Sequence, residues 1–335
     1  MKKNTFTFYV QDYFSNYLPN IRNVSTNTIK TYRYAFLDLI HFFKTNKIDI
    51  NNMLIDDLKI EYLEDYICFL KNKCNSNSTI NMKIVSIKSF FNYLNYKTID
   101  YINICSQVNK IKLLKKSVSI PKYLDKNEID ILLGIQDDLI SLKEYVIFLL
   151  MYYGALRVSE LCNLKKEDIE ILDKKSYRIK IYNSKNNKNR VVNFECKYGN
   201  YIKEYLKITY EKNSTSLFLN KYGNKYTKKG INYILNKIYK IGKEKNVSGI
   251  LFIYNYIHPH MLRHSRAMIM LKDGVSLSEI KEYLGHSNIA TTEIYARLDT
   301  TLIKESLNKH AKEINYKMKY SKKDKDDLEN WLKTI

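Results

Sequence analysis

Long apolar runs are missing from this chain. No stretch approaches the roughly 18 residues that a membrane-spanning helix needs, so no membrane partner is expected. Cysteine is sparse and dispersed: Cys68, Cys74, Cys105, Cys162 and Cys196 show no C-x-x-C spacing. An odd, scattered set argues against a disulfide frame or a zinc site and fits reduced thiols. The first residues, MKKNTFTFYVQDYF, lack the apolar stretch and small-residue cleavage site of a secretion signal. A cytoplasmic protein is expected. Acidic side chains are also in deficit, 35 Asp and Glu against 56 Lys and Arg, for a net charge of +21.

That deficit is not confined to one tail. Residues 1–120 carry 17 basic and 9 acidic side chains, and the remainder 39 and 26, so both halves are basic. A length of 335 residues suits two domains. Two basic domains are what a polyanion touched by both would require. An AT-rich gene would inflate Lys, Asn, Ile and Tyr in the same way, so composition leaves nucleic acid and coding bias both open.

Hydrophobic periodicity gives the first hundred residues to helices. TNTIKTYRYAFLDLIHFFK places Ile29, Tyr32, Phe36, Leu39, Ile40 and Phe43 on one face. Leu63, Tyr66, Ile67 and Leu70 repeat the pattern, as do Ile80, Ile84, Ile87, Phe91 and Leu94, and a weaker helix is expected over Phe6–Leu18. Four helices with short polar connections make a small bundle, with the aromatic stripes as its core rather than as stacking platforms. KIKLLKKSVSIPKYL then has Lys110, Lys112, Lys115 and Lys116 in its first seven residues, no helical period, and one of only three prolines. It reads as an extended basic linker over 110–122. Beyond it a helix capped by Asp125, an apolar helix closed near Gly154, a β-hairpin in YRIKIYNSKNNKNRVVNF and a mostly helical remainder from about Tyr198 are expected. The fold class is therefore mainly α with a small β-hairpin or sheet.

Four segments could carry chemistry. In GALRVSELCNL, Arg157 leaves a buried apolar helix, with Glu160 one turn on; it either pairs with Glu160 or faces a ligand. In HPHMLRHSRA, Pro259 suits a first helical turn, and His260 and Arg263 follow near that N-terminus, where an anion is favoured. Zinc is the rival for His258, His260 and His264, but no acidic or thiol ligand accompanies them and an arginine stands among them. The hairpin turn NSKNNKNR offers Lys185 and Lys188, as a solvated tip or as a donor to a leaving oxygen. In SLSEIKEYLGHSNIATTEIYAR, Ser276 and Glu279 form a capping box and Gly285 fits the left-handed position past the helix end. His286 follows at the junction, Ser287 caps a new helix, and Tyr295 lies about two turns along it.

Together these residues suit phosphoryl transfer. Two guanidiniums can fork onto one phosphodiester and stabilise the charge that builds in a phosphorane-like transition state. A tyrosine can be the covalent nucleophile if neighbouring cations or a base activate it. Neither an Asp/Glu cluster for two metal ions nor a phosphate-binding P-loop is present, so no cofactor and no metal are expected.

The three boxes GALRVSELCNL, HPHMLRHSRA and LGHSNIATTEIYAR closely resemble those of the tyrosine recombinase (phage integrase) family, in the same order. The likeness spans residues about 5–97, similar to that family's helical core-binding domain, and about 121–300, similar to its catalytic domain. It implies an N-terminal DNA-binding domain over 1–109, the linker, a catalytic domain over 123–300 and a helical tail over 301–335. It implies a C-shaped clamp on double-stranded DNA and strand exchange by a homotetramer on paired sites, with accessory DNA-bending or partner recombinase proteins. By position, Tyr295 would form a 3′-phosphotyrosine, Arg157 and Arg263 would clamp the phosphate, and Lys185 would be general acid. His260 and His286 would assist proton transfer, Glu160 would support the arginines, and Lys110, Lys112, Lys115, Lys116 and Lys188 would contact DNA. The hairpin departs from the family in lacking glycines beside its lysine, so Lys188 competes with Lys185. The tail's ENWL could dock on a neighbouring protomer or close an ordinary amphipathic helix. Function is then site-specific recombination, serving integration, excision or resolution. The alternatives are a transposase of the same chemistry from a mobile element, or a DNA-binding accessory protein without the chemistry.

Overall fold

The computed structural model describes residues 5–115, 121–135, 138–182, 189–211, 214–246, 249–285 and 294–295. The chain divides into two compact units, Met1–Ser119 and Ile120–Ile335.

In the first unit α1 (Phe6–Asp12) is capped by the Thr5 hydroxyl and continues as a π-helix over Tyr13–Ile21. Pro19 sits inside that segment, and a residue with no N–H to give interrupts ordinary α-winding. Helices α2 (Thr26–Thr45) and α4 (Asn77–Lys97) start at serine caps, Ser25 and Ser76, and α3 (Ile60–Asn72) lies between them. The stripes expected from sequence are the core: Phe36, Leu39 and Phe43 of α2, Leu63, Tyr66 and Leu70 of α3, and Ile80, Ile84, Ile87, Phe91 and Leu94 of α4 are all buried. Phe90 sits among aromatic rings, with the centroids of Phe6, Tyr13 and Phe36 at 5.7, 5.4 and 5.4 Å.

The expected linker begins with residues that pack on the first unit. A further helix, α5 (Ile102–Lys110), precedes it, and the segment through Lys115 is fastened to α4. Asn81 donates to the Leu114 carbonyl and accepts from the Leu114 N–H, both at 2.8 Å. Asn77 donates to the Lys115 carbonyl, and Lys88 to the carbonyls of Asn109 and Ile111. Ile111 and Leu114, three apart, pack on the first core. These apolar anchors make the first part of the basic stretch a piece of the first unit. Lys110, Lys112 and Lys115 are exposed on it, and Lys116 lies outside the described residues.

In the second unit α6 (Lys126–Gly134) opens with the Asp125–Glu128 capping box. Helix α7 (Leu142–Tyr153) is buried along its whole length from Tyr145 to Tyr152, because α9 (Gly199–Tyr210), α10 (Lys228–Glu244) and α11 (Pro259–Lys272) all pack on it. A short α8 (Val158–Asn163) follows. The hairpin expected from alternation is present as β2 (Ser176–Ile181) paired antiparallel with β3 (Arg190–Glu195), Ile179 opposite Val192. A three-residue strand, β1 (Ile169–Ile171), extends it to a sheet of order β1-β2-β3. Tyr177, Ile179 and Ile181 point to the core while Lys180 is exposed. Last among the described helices is α12 (Leu277–Leu284), capped by Ser276 and Glu279. Among the described residues no helix is long and apolar enough to cross a membrane.

Candidate active site

A strained turn sets up the first arginine. After α7 the chain passes through Gly154 and Ala155, and Ala155 has φ of 43°. Alanine rarely occupies this left-handed region, and such strain is retained where it aims a group. Here it turns the Ala155 carbonyl to accept from Nη1 of Arg263 at 2.6 Å. Two residues on, Arg157 caps α8, with its backbone N–H on Oε2 of Glu160 at 2.8 Å and its Nη1 on Oε1 at 2.7 Å.

The second arginine reaches the same place from α11. Arg263 is 3% exposed, and its Nη2 donates to the Leu284 carbonyl. Arg157 Nη2 donates to the next carbonyl, that of Gly285, at 2.9 Å. Both guanidiniums therefore gather at the C-terminal end of α12, the negative end of its dipole. Gly285, with φ of 62°, turns the chain there as the sequence required. Burial first, then the like charges of Arg157 and Arg190, push the Arg263 pKa down to about 9. It remains a cation at neutral pH, in a setting that an anion would relieve.

Glu160 is the counter-ion. Its side chain is 5% exposed, and Arg190 grips it bidentately, Nη1 to Oε1 at 2.7 Å and Nη2 to Oε2 at 2.9 Å. Burial alone would raise its pKa, but the hydrogen bonds and charges of Arg190 and Arg157 outweigh it and hold the carboxyl below its usual range. Two arginines thus share one carboxylate, with Arg263 held on main-chain carbonyls beside them.

The tyrosine lies beside them. Tyr295 is 1% exposed, in an apolar cluster with Ala155, Ala267, Met268, Ile280 and Leu284. Its hydroxyl is 2.6 Å from Nδ1 of His264. Burial pushes the phenol up to about 12, against the opposing pull of Arg263, so it is protonated at neutral pH. Burial, then His260 and the Arg263 charge, drive His264 down to about 4, so it is neutral and offers one acceptor nitrogen. His260, in the first turn of α11, is exposed on that surface. Partial desolvation and then the charges of Arg263, His258 and Arg157 lower its pKa.

This histidine makes a pH signature. Unfolded, His264 binds a proton near its usual 6.5; folded, it resists until about 4. The unfolded chain therefore holds more protons between those values, and stability falls as pH drops through that window. The melting temperature should decline from pH 6.5 to 4 more steeply in the wild type than in His264→Gln.

Of the residues expected from sequence, Arg157, Glu160, Arg263 and Tyr295 converge, with His260 within electrostatic reach. Lys185, Lys188, His286, Ser287 and the tail over 301–335 lie outside the described residues. Two participants were not foreseen. His264 read only as a zinc rival, yet it bonds Tyr295. Arg190 carried no local signal beyond being a cation at the start of an apolar strand.

The chain as a whole is similar to known proteins. The phage integrase family profile matches residues 122–301, and the N-terminal SAM-like domain of phage integrases matches residues 11–97. The tyrosine recombinase XerA of Pyrococcus horikoshii is 32% identical over 296 residues, 88% of this chain and 91% of that protein. The tyrosine recombinase XerC of Listeria welshimeri is 29% identical over 311 residues, 90% of this chain and 97% of the relative. The fold is shared with the XerH site-specific recombinase bound to its palindromic difH substrate in a post-cleavage complex. There the TM-score is 0.65 at 20% identity, covering 85% of this chain and 80% of XerH. The two profile matches and the identity to XerA make this chain a member of the phage integrase family, a tyrosine recombinase.

Proposed function

We propose that this chain is a site-specific DNA recombinase that cuts and rejoins strands through a covalent link to Tyr295. The observation that carries the reading is the meeting of Arg157 and Arg263 at the adjacent carbonyls of Leu284 and Gly285, beside the Tyr295 hydroxyl's pocket. The two guanidiniums bind the non-bridging oxygens of the scissile phosphate. The Tyr295 oxygen bonds to phosphorus, the bond from phosphorus to the 5′ oxygen breaks, and a 3′-phosphotyrosine remains. Lys185 gives its proton to the leaving 5′ oxygen, and Lys188 contacts the backbone. The phenolic proton passes to a neutral imidazole on the phosphate side, His260 or His286, once the phenol has left its hydrogen bond to His264. A phenol that is 1% exposed meets no DNA, so DNA binding must draw Tyr295 out of its pocket. The phosphotyrosine conserves the energy of the broken bond, so rejoining calls for neither nucleotide nor metal ion.

Charge on both units supports DNA as partner: the exposed Lys110, Lys112 and Lys115, with Lys116, would follow the phosphates as the chain closes round the duplex as a clamp. The domain division is then a DNA-binding unit before the basic segment and a catalytic unit after it, with the tail over 301–335 joining protomers of a tetramer in the cytoplasm. A covalent adduct separates recombination from mere binding. Protein incubated with its native flanking DNA, then denatured in SDS with EDTA present, should yield DNA-linked protein with free 5′-hydroxyl ends. A folded protein that binds this DNA without ever forming an adduct would instead be an accessory factor.

A further inference from the structure

One cation of the cluster has no part in the reaction as described so far. Arg190 opens β3, and its side chain is 9% exposed. Each oxygen of Glu160 is shared between two arginines: Oε1 accepts Nη1 of Arg157 and Nη1 of Arg190, and Oε2 accepts the Arg157 backbone N–H and Nη2 of Arg190. Arg190 thereby fixes Glu160, and Glu160 fixes both the main chain and the guanidinium of Arg157. The stem of Arg190 also fills the space beside the turn before His286. A Cβ at Gly285 would lie 2.6 Å from its Cδ. Its Nε–H is buried and has no hydrogen-bond partner among the described residues.

We propose that Arg190 is a positioning residue for strand cleavage, which orients Arg157 through Glu160 and sets the charge of the cluster to suit the transition state rather than the bound diester. This rests on the recombinase reading. Three guanidiniums and one carboxylate leave two positive charges on the cluster. The phosphodiester brings one negative charge. Once the Tyr295 oxygen has bonded to phosphorus and the 5′ oxygen has not yet left, the five-coordinate group carries about one more. The cluster matches the second state, and only interactions stronger there accelerate the reaction. Without Arg190, Arg157 and Glu160 would neutralise each other and leave Arg263 alone. That suffices to hold the diester and not to stabilise its rearrangement.

The test is single-turnover cleavage of a nicked duplex that traps the covalent adduct, with DNA affinity and melting temperature measured alongside. Arg190→Gln should cleave about 10²-fold more slowly while binding DNA within about threefold of wild type. Arg190→Lys, which keeps the charge but cannot fork onto both oxygens of Glu160, should recover only part of the rate. Placing a methylphosphonate at the scissile position removes one negative charge, and the deficit of Arg190→Gln should then shrink at least about tenfold. A deficit of equal size on both substrates would mean that Arg190 acts only as scaffolding, and would overturn the charge-setting role. Wild-type rates in folded Arg190→Gln would overturn the proposal outright. A wild-type protein that forms no adduct would instead remove the recombinase reading on which it stands.

Discussion

Tyr295→Phe is expected to bind DNA as the wild type does and to form no covalent adduct at all. The substitution deletes one oxygen. Among the described residues that oxygen makes a single hydrogen bond, to His264, so the stability loss should be about 1 kcal/mol. The ring keeps its place among Ala267, Met268, Ile280 and Leu284. In the proposed reaction, however, the oxygen is the nucleophile, and no neighbouring group would replace it at phosphorus. Cleavage should fall below detection while gel-shift affinity stays within a few-fold and the melting temperature nearly unchanged. Cleavage persisting in this variant would point to another of the chain's 30 tyrosines.

Arg263→Ala is expected to have the next largest effect, and on two counts. The side chain is 3% exposed and satisfies the carbonyls of Ala155 and Leu284. Removing it orphans two buried acceptors, each worth about 1–3 kcal/mol when left unpaired. It also removes one of the proposed donors to the phosphate, for which a loss of about 10²–10³-fold in rate is typical. Arg263→Lys separates the two. It keeps a positive charge, but a single ammonium has no planar fork to reach both carbonyls and still face a phosphate. Its melting temperature should recover part of the loss seen with alanine, while single-turnover cleavage stays at least about tenfold below wild type. Full rescue by lysine would mean that point charge alone matters at this position.

What could be read from the sequence, and what could not, follows from the range of the forces involved. Local rules served well. The Ser276–Glu279 capping box, Gly285 beyond the helix end and the Asp125 cap all depend on residues within one turn. The alternation on both sides of NSKNNKN gave the two long strands, and the three-to-four spacing of Phe36, Leu39 and Phe43 gave the core face of α2. Short elements escaped: β1 has three residues and α5 nine, too few for a period to emerge. The apolar pair Ile111 and Leu114 was hidden among lysines, so its packing on the first core was not legible. Arg157 was legible as a charge leaving an apolar helix, and Arg263 from its place near a helix N-terminus. Their shared anchoring at one helix end was not, since it joins segments more than a hundred residues apart. The grip of Arg190 on Glu160 and the bond between His264 and Tyr295 each span about thirty residues, still far beyond one helical turn.

The central claim is that one identified phenol carries the DNA. Nuclease trimming of the trapped adduct to a short stub, followed by peptide mass spectrometry, tests it directly. The account predicts a nucleotide mass on the peptide containing Tyr295 and on no other. A nucleotide on Tyr283, on a serine, or on any peptide lacking Tyr295 would contradict it.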